Sequence, residues 1–103
     1  MSSLNITLLK AVFKQNIIAF KLENNTLTYV TLTDNNTQTC NWINVYEFMY
    51  LCKQFAINTY ATLISSEGIG RCSLIDNNEE FKFLSTTEFE AVVKACNYLL
   101  KLN

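Results

Sequence analysis

The segment from Leu84 to Leu100 carries the clearest helical pattern in the sequence, and it constrains the fold more than any other. Its apolar residues recur at three- and four-residue steps and therefore share one side of a helix: Phe89, Val92, Val93, Cys96, Leu99 and Leu100. Ser85 is the predicted N-cap, and Glu88 can reach back to its amide, while Leu84 and Phe89 bracket the cap as a hydrophobic staple. Such a helix needs a sheet or another helix to cover its apolar side.

A second helix is predicted to begin after Asn44, with the same kind of start. Glu47 occupies the third helical position after the Asn44 cap, and Ile43 and Phe48 form the staple. The side of this helix that is predicted to be buried consists of Val45, Phe48, Met49, Cys52, Phe55 and Ala56.

Short apolar segments around the two helices predict antiparallel strands. Residues 17–22 alternate, with Ile18, Phe20 and Leu22 on the buried face. Glu23-Asn24-Asn25 is the predicted turn into a strand over 27–33, because Asn tolerates the left-handed conformation of hairpin turns. Residues 5–13 are predicted as the first strand of this meander, and a short helix over 4–13 is the alternative. The strands of the second half are predicted over 60–65, 69–75 and 80–84.

These elements predict an α+β fold class. We expect an antiparallel β-sheet with two α-helices packed on one face, in the order βββαβββα, and one domain spanning residues 1–103. Residues 33–44 form the longest polar segment and are predicted to connect the first three strands to the helix. Since the chain has no proline to protect its sheet edges, pairing into a homodimer or onto a partner strand is expected.

The charge balance argues against binding to nucleic acid or to a membrane. Eight basic and nine acidic residues give a net charge of −1, so no global field attracts a polyanion. No apolar run approaches the roughly 20 residues of a membrane helix, and the first residues do not resemble a signal peptide. We therefore expect a cytoplasmic protein.

The residue inventory predicts a protein that is not an enzyme. Histidine is absent, which removes the commonest general base and the commonest zinc ligand. No catalytic residue, metal site or cofactor is predicted. The four cysteines are widely spaced and are interpreted as free thiols that act as small apolar residues: Cys40, Cys52, Cys72 and Cys96.

The turn from Gly68 to Arg71 is the one candidate for a small-ligand site. Gly68 and Gly70 flank Ile69, and backbone amides followed by a guanidinium can hold a phosphate. No third glycine and no helix follow, so the signal for a ligand site is weak and a hairpin turn is the favoured explanation of Gly68. Gly70 is expected to mark a bulge or a close backbone approach.

Aromatic residues beyond the needs of the core favour protein binding. Trp42 lies in the polar segment, just before the helix that carries Tyr46 and Tyr50, and these three are the predicted partner-binding cluster. Asp34 and Glu67 lie in predicted turns and are expected to add acidic contacts to a basic partner surface. The alternative interpretation is that each aromatic side chain lies half-buried at the rim of the core.

In length, Asn-rich composition and α+β pattern, the chain resembles the small proteins that phages and other mobile elements carry. That group includes anti-CRISPR and other anti-defence inhibitors and toxin-immunity proteins. The resemblance implies a stoichiometric inhibitor that occupies a surface of a larger protein complex, such as a nucleic-acid-processing defence complex. The alternatives are a homodimeric structural, assembly or toxin-immunity protein and, third, a small-ligand binder that uses the Gly68–Arg71 turn.

Overall fold

The computed structural model describes residues 3–102, and within that range the chain forms three helices and six strands. They follow the order α1 (Ile6–Phe13), β1 (Ile17–Glu23), β2 (Thr26–Leu32), β3 (Gln38–Asn44), α2 (Val45–Asn58), β4 (Thr62–Ser65), β5 (Arg71–Asp76), β6 (Glu79–Leu84) and α3 (Glu88–Leu102). The α+β class and the order βββαβββα are confirmed, with one further helix, α1, before the first strand. Every helix in this range is too short or too polar to span a bilayer.

The strands form two antiparallel sheets of three strands each, where a single sheet was expected. Their orders are β1-β2-β3 and β4-β5-β6. Asn24-Asn25 and Asn77-Asn78 form the tight turns, and all four residues have positive φ between 52° and 65°. Two consecutive left-handed residues are typical of the type I′ turns that join strands with the native twist. The predicted use of asparagine at the turn into β2 is confirmed.

The helices lie against one face of each sheet and against each other. Helix α3 contacts all three strands of the second sheet, α1 contacts β1, and α2 contacts β3 and β4 as well as both other helices. The buried apolar residues of both halves belong to one cluster, in which Leu8, Leu27, Phe48, Leu74 and Val92 have no exposed surface. The molecule measures 43 × 29 × 20 Å along its principal axes.

The predicted strand over residues 5–13 is wrong, and the helical alternative is correct. The Asn5 side chain accepts a hydrogen bond from the Leu8 amide at 2.8 Å, which begins α1. Lys14 ends it in the left-handed conformation, with its amide donating to the Lys10 carbonyl. Helical geometry puts both Leu8 and Leu9 in the core, and that burial outweighs the β preference of Ile6 and its neighbours.

The predicted start of the last helix is wrong by two residues. Thr87, not Ser85, accepts the capping hydrogen bond, from the Glu90 amide at 3.1 Å. The Ser85 amide instead donates to the Gly70 carbonyl at 2.8 Å, which extends the pairing beside β5. Leu84 is 66% exposed and forms no staple. The predicted buried side of the helix is correct, since Phe89, Val92, Val93, Cys96 and Leu99 are buried.

Two local features of the first sheet also differ from expectation. A register shift between Ile17 and Ala19 turns Ile18 outward, so that Ile17 joins Phe20 and Leu22 on the core face. The polar segment over 33–44 is partly strand, because β3 pairs with β2 along its whole length. Its polar residues suit an outermost strand whose side chains are mostly exposed.

Helix α2 begins and packs as predicted. The Asn44 side chain accepts a hydrogen bond from the Glu47 amide at 2.9 Å, and its amide group donates to the Glu47 carboxylate at 3.2 Å. Val45, Phe48, Met49, Cys52 and Ala56 are buried, and Phe55 packs partly against the core.

Candidate protein-binding surface

Helix α2 presents a second, largely apolar stripe to solvent, on the flank of the side that packs into the core. Tyr46, Tyr50 and Ile57 are 56%, 61% and 53% exposed. These three residues and Lys53 are spaced by three and four positions, so they share one side of the helix. We call this set the outer α2 stripe: Tyr46, Tyr50, Lys53 and Ile57.

The sequence of α2 explains why the stripe exists. Of the 14 residues of the helix, only Glu47, Lys53, Gln54 and Asn58 carry a charged or amide side chain. Glu47, Gln54 and Asn58 are exposed on the side away from the core, so the stripe lies between this polar side and the buried side. Because one side of α2 faces solvent, its aromatic and aliphatic groups form a surface that is typical of a binding site.

A cleft of about 220 Å³ lies at the N-terminal end of the stripe. Four segments that are distant in the sequence form its walls: the Asn25 turn of the first sheet, the start of α2, the Gly68 turn of the second sheet, and the start of α3. Met49 and Phe89 supply apolar surface, and Tyr46 stands at the rim. The cleft can receive one side chain of a partner protein.

One acidic residue lines the cleft, and a second lies in a turn that forms its wall. The Glu88 carboxylate lines the cleft and accepts a hydrogen bond from the Ser65 hydroxyl at 2.6 Å. Glu67 is exposed in the turn that contributes Gly68. Glu47 lies on a different side of α2, where its carboxylate accepts a hydrogen bond from the Asn44 side chain. This end of the stripe therefore favours a partner with basic groups around an apolar contact.

The structure brings together only part of the predicted partner-binding set. Tyr46 lines the cleft, Tyr50 lies one turn further along α2, and Glu67 precedes Gly68, which also lines it. Trp42 is 73% exposed, but it projects from the outer face of the first sheet, where it pairs with Thr28. Asp34 lies beyond the other end of β3, and the strand from Gln38 to Trp42 alone spans roughly 13 Å.

Sequence reasoning missed Ile57 and the role of the turns around the cleft. Ile57 lies seven residues after Tyr50, so the helical period already placed it on the side of the two tyrosines. No such signal exists for Asn25, Thr86 and Thr87, which reach the cleft only through tertiary packing.

The turn from Gly68 to Arg71 is a tight connection between strands. Gly68 has φ +76°, and the Ile69 amide donates to the Ser66 carbonyl at 3.1 Å. The Arg71 amide donates to the Ile69 carbonyl at 2.8 Å, so neither amide points at a ligand. A Cβ at Gly70 would overlap the Ser85 carbonyl oxygen, which agrees with the expected close backbone approach.

Three of the four cysteines are buried, and Cys40 is exposed on β3. A hydrogen bond with the Cys96 thiol, together with burial, raises the pKa of the Cys52 thiol well above its usual value. Burial is also the main cause that raises the pKa of the Cys72 thiol to about 11. Both thiols are therefore protonated near neutral pH and pack as apolar groups.

Residues 3–102 contain no group of three or more cysteine, aspartate or glutamate residues placed to hold a metal ion. Comparison of the chain with protein-family models, with curated proteins and with solved structures finds no match.

Proposed function

We propose that this chain is a small, stoichiometric protein-binding inhibitor that acts through the outer α2 stripe. The observation that carries the proposal is the exposure of Tyr46, Tyr50 and Ile57, each more than half exposed on a helix whose adjacent side packs into the core. The proposed partner offers an apolar contact surface with basic groups at its edge.

Tyrosine side chains support this proposal for a physical reason. They bury a large area while losing little conformational entropy, and they are enriched among the residues that dominate binding energies. Helix α2 is held by its cap and by its buried side, so the stripe is already ordered before a partner arrives. A surface that is ordered in advance loses less entropy on binding.

The cleft beside Tyr46 supports the same partner chemistry. Glu88 lines the cleft together with Met49, and Glu67 lies in the turn that contributes Gly68, so a lysine or arginine of the partner can extend its alkyl chain over Met49 and reach a carboxylate. Tyr50 and Ile57 then contact the apolar surface beyond that residue.

The proposed setting is the cytoplasm of a cell that carries a phage or another mobile element. The target is proposed to be a large defence complex that processes nucleic acid, as for the small anti-CRISPR and other anti-defence proteins that the chain resembles. The proposed mode of action is occupation of a surface, without catalysis, cofactor or direct contact with nucleic acid.

A quantitative capture experiment tests this proposal. Tagged wild-type protein, Tyr46→Ala/Tyr50→Ala and the control Leu84→Ala are used to recover partners from host lysate, and the captured complex is titrated with each variant. Leu84 is an equally apolar residue, 66% exposed, on the second sheet. The double substitution should weaken binding by at least about 2 kcal/mol, and the control should bind as the wild type does. Equal binding by all three proteins would refute the proposal.

A further inference from the structure

The open side of β3 carries backbone groups that point away from the sheet. The Val45 amide donates to the Asn25 carbonyl at 3.0 Å, and the Thr33 amide donates to the Thr37 carbonyl at 3.0 Å. Both bonds fit the β2–β3 register, in which hydrogen-bonded pairs alternate with non-bonded pairs. Odd-numbered residues of β3 therefore bond to β2, and the backbone groups of Gln38, Cys40 and Trp42 point outward.

The three other sheet edges have features that protect against strand pairing, and β3 has none. Strand β1 has the bulge at Ile18 and the ion pair between Lys21 and Glu23 at 3.3 Å. Strand β4 has only four residues, and β6 carries charged side chains at Glu79, Glu80 and Lys82. Short length, bulges and charges are the usual protections of an edge strand.

Strand β3 is longer than β4 and β6, and unlike β1 and β6 it is uncharged. Its seven residues, Gln38 to Asn44, contain no charged residue and no proline. Within residues 3–102 no strand pairs with its open side. We infer that this edge binds a second copy of the chain, β3 against β3 in antiparallel orientation, so that the two three-stranded sheets become one continuous sheet. This inference goes beyond the proposed function and does not depend on it.

The register of this pairing follows from the direction of the backbone groups. An antiparallel ladder forms when outward-pointing residues of one copy face outward-pointing residues of the other. With Asn41 on the two-fold axis, Cys40 faces Trp42 of the second copy, Gln38 faces Asn44, and the whole strand is used. A shift by one residue would place outward groups opposite groups that already bond to β2. The absence of charge means that the two identical strands do not repel each other.

The same register covers the exposed tryptophan. Cys40, Trp42 and Val30 share the outer face of the sheet, because Val30 pairs with Cys40 in the β2–β3 register. In the dimer the Trp42 ring lies over Cys40 of the second copy and reaches its Val30. The most exposed aromatic group of the first sheet thus becomes part of the interface.

Trp42 is the only tryptophan, and its fluorescence reports on the interface directly. Sedimentation and tryptophan emission are measured on the untagged wild-type protein over a series of concentrations up to the millimolar range. The expected result is a monomer of 11.8 kDa that converts to a dimer, with emission moving to shorter wavelength over the same concentrations. A monomer with unchanged emission throughout would overturn the inference.

A matched pair of lysine substitutions locates the surface. Cys40→Lys places a charge on the open edge opposite Trp42 of the second copy and should weaken association by at least about tenfold, since like charges and lysine protect edges. Ala19→Lys places the same charge on the same sheet face, at the β1 edge, and should leave association unchanged. Equal effects of the two substitutions would overturn the assignment to β3.

Disulfide formation tests the register. Trp42→Cys puts two cysteines in directly opposed positions between copies, about 5.5 Å apart at their Cα atoms, which is within disulfide range. The Cys40 residues of two wild-type copies lie diagonally, about 7–8 Å apart, which is beyond it. Under mild oxidation Trp42→Cys should form the cross-linked dimer much faster than the wild type. Faster cross-linking of the wild type would place Cys40 opposite itself and contradict the register.

Discussion

Each of the three helices begins at a short polar side chain that accepts a hydrogen bond from the backbone. Asn5 accepts from the Leu8 amide at 2.8 Å, Asn44 from the Glu47 amide at 2.9 Å. Thr87 accepts from the Glu90 amide at 3.1 Å. A cap of this type contributes about 1 kcal/mol to stability. The caps of α2 and α3 also lie beside the candidate cleft, so they position Tyr46 and Glu88.

The cap of α3 gives a prediction for a single side chain. Thr87→Ala should lower the free energy of unfolding by about 1 kcal/mol, because the Glu90 amide loses its acceptor. Ser85→Ala should change it by less than about 0.5 kcal/mol, since only the backbone amide of Ser85 forms a structural hydrogen bond. Urea denaturation of both variants measures the difference. A larger loss for Ser85→Ala would place the helix start two residues earlier.

The buried thiol of Cys72 predicts a loss of stability at alkaline pH. Its pKa is about 11 in the folded protein against an ordinary value of 9.0, because burial disfavours the thiolate. Between these two values the folded chain holds a proton that the unfolded chain releases, so the free energy of unfolding falls as the pH rises above 9.0. Below pH 9.0 the stabilisation that comes from the protonated Cys72 thiol is fully present.

Denaturation at pH 9 and at pH 11 under reducing conditions measures this effect. Cys72→Ala lacks the ionisable group, so its stability should fall less between the two pH values than that of the wild type. Identical losses in the two proteins would show that the Cys72 thiol ionises as easily in the folded state as in the unfolded state.

At the scale of the elements, the connection between β4 and β5 is held against the end of β6. The Ser85 amide donates to the Gly70 carbonyl, and a Cβ at Gly70 would overlap the Ser85 carbonyl oxygen. Gly68, in contrast, faces open space but has φ +76°. Gly70 is therefore required because a side chain has no space there, and Gly68 is required because of its backbone conformation.

Substitutions at Gly68 and Gly70 test the two requirements independently. Gly70→Ala should destabilise the protein by about 3 kcal/mol, because the strands beside it must move apart. Gly68→Ala should lose about 1 kcal/mol, and Gly68→Asn should recover most of that loss, since Asn tolerates the left-handed region. Thermal denaturation compares the three variants. If Gly70→Ala were as stable as Gly68→Asn, the close approach to Ser85 would be refuted.

The elements that the sequence predicts well are those with a local signal. Asn44 and the apolar residues that recur after it at three- and four-residue steps specify α2 from within its own sequence, and the Asn-Asn turns specify their hairpins. Helix α1 was predicted only as the alternative, because Ile6, Thr7 and Val12 favour strands in isolation and only burial of Leu8 and Leu9 decides for the helix. Ser85 and Thr87 are both residue types that can cap a helix. The hydrogen bond from the Ser85 amide to the Gly70 carbonyl, distant in sequence, holds Ser85 beside β5, so Thr87 becomes the cap.

At the scale of the whole molecule, the candidate surface depends on how the two sheets meet the helices. Tyr46 and Tyr50 were predicted as partner contacts from residue type and spacing alone. Their cleft was not predictable, because its walls come from four separated segments that meet only in the folded state. Trp42 is near the tyrosines in sequence, yet β3 turns it to the outer sheet face, which separates the outer α2 stripe from the open edge.

Site-specific photo-crosslinking in host cells tests the central claim, that the outer α2 stripe binds a partner protein. Benzoylphenylalanine is placed at Tyr50, in the middle of the stripe, and for comparison at Leu84 on the second sheet. We expect position 50 to give one discrete product with a different protein, which Tyr46→Ala diminishes, and position 84 not to give it. If position 50 yields no such product, or both positions yield the same products, the outer α2 stripe is not a binding surface.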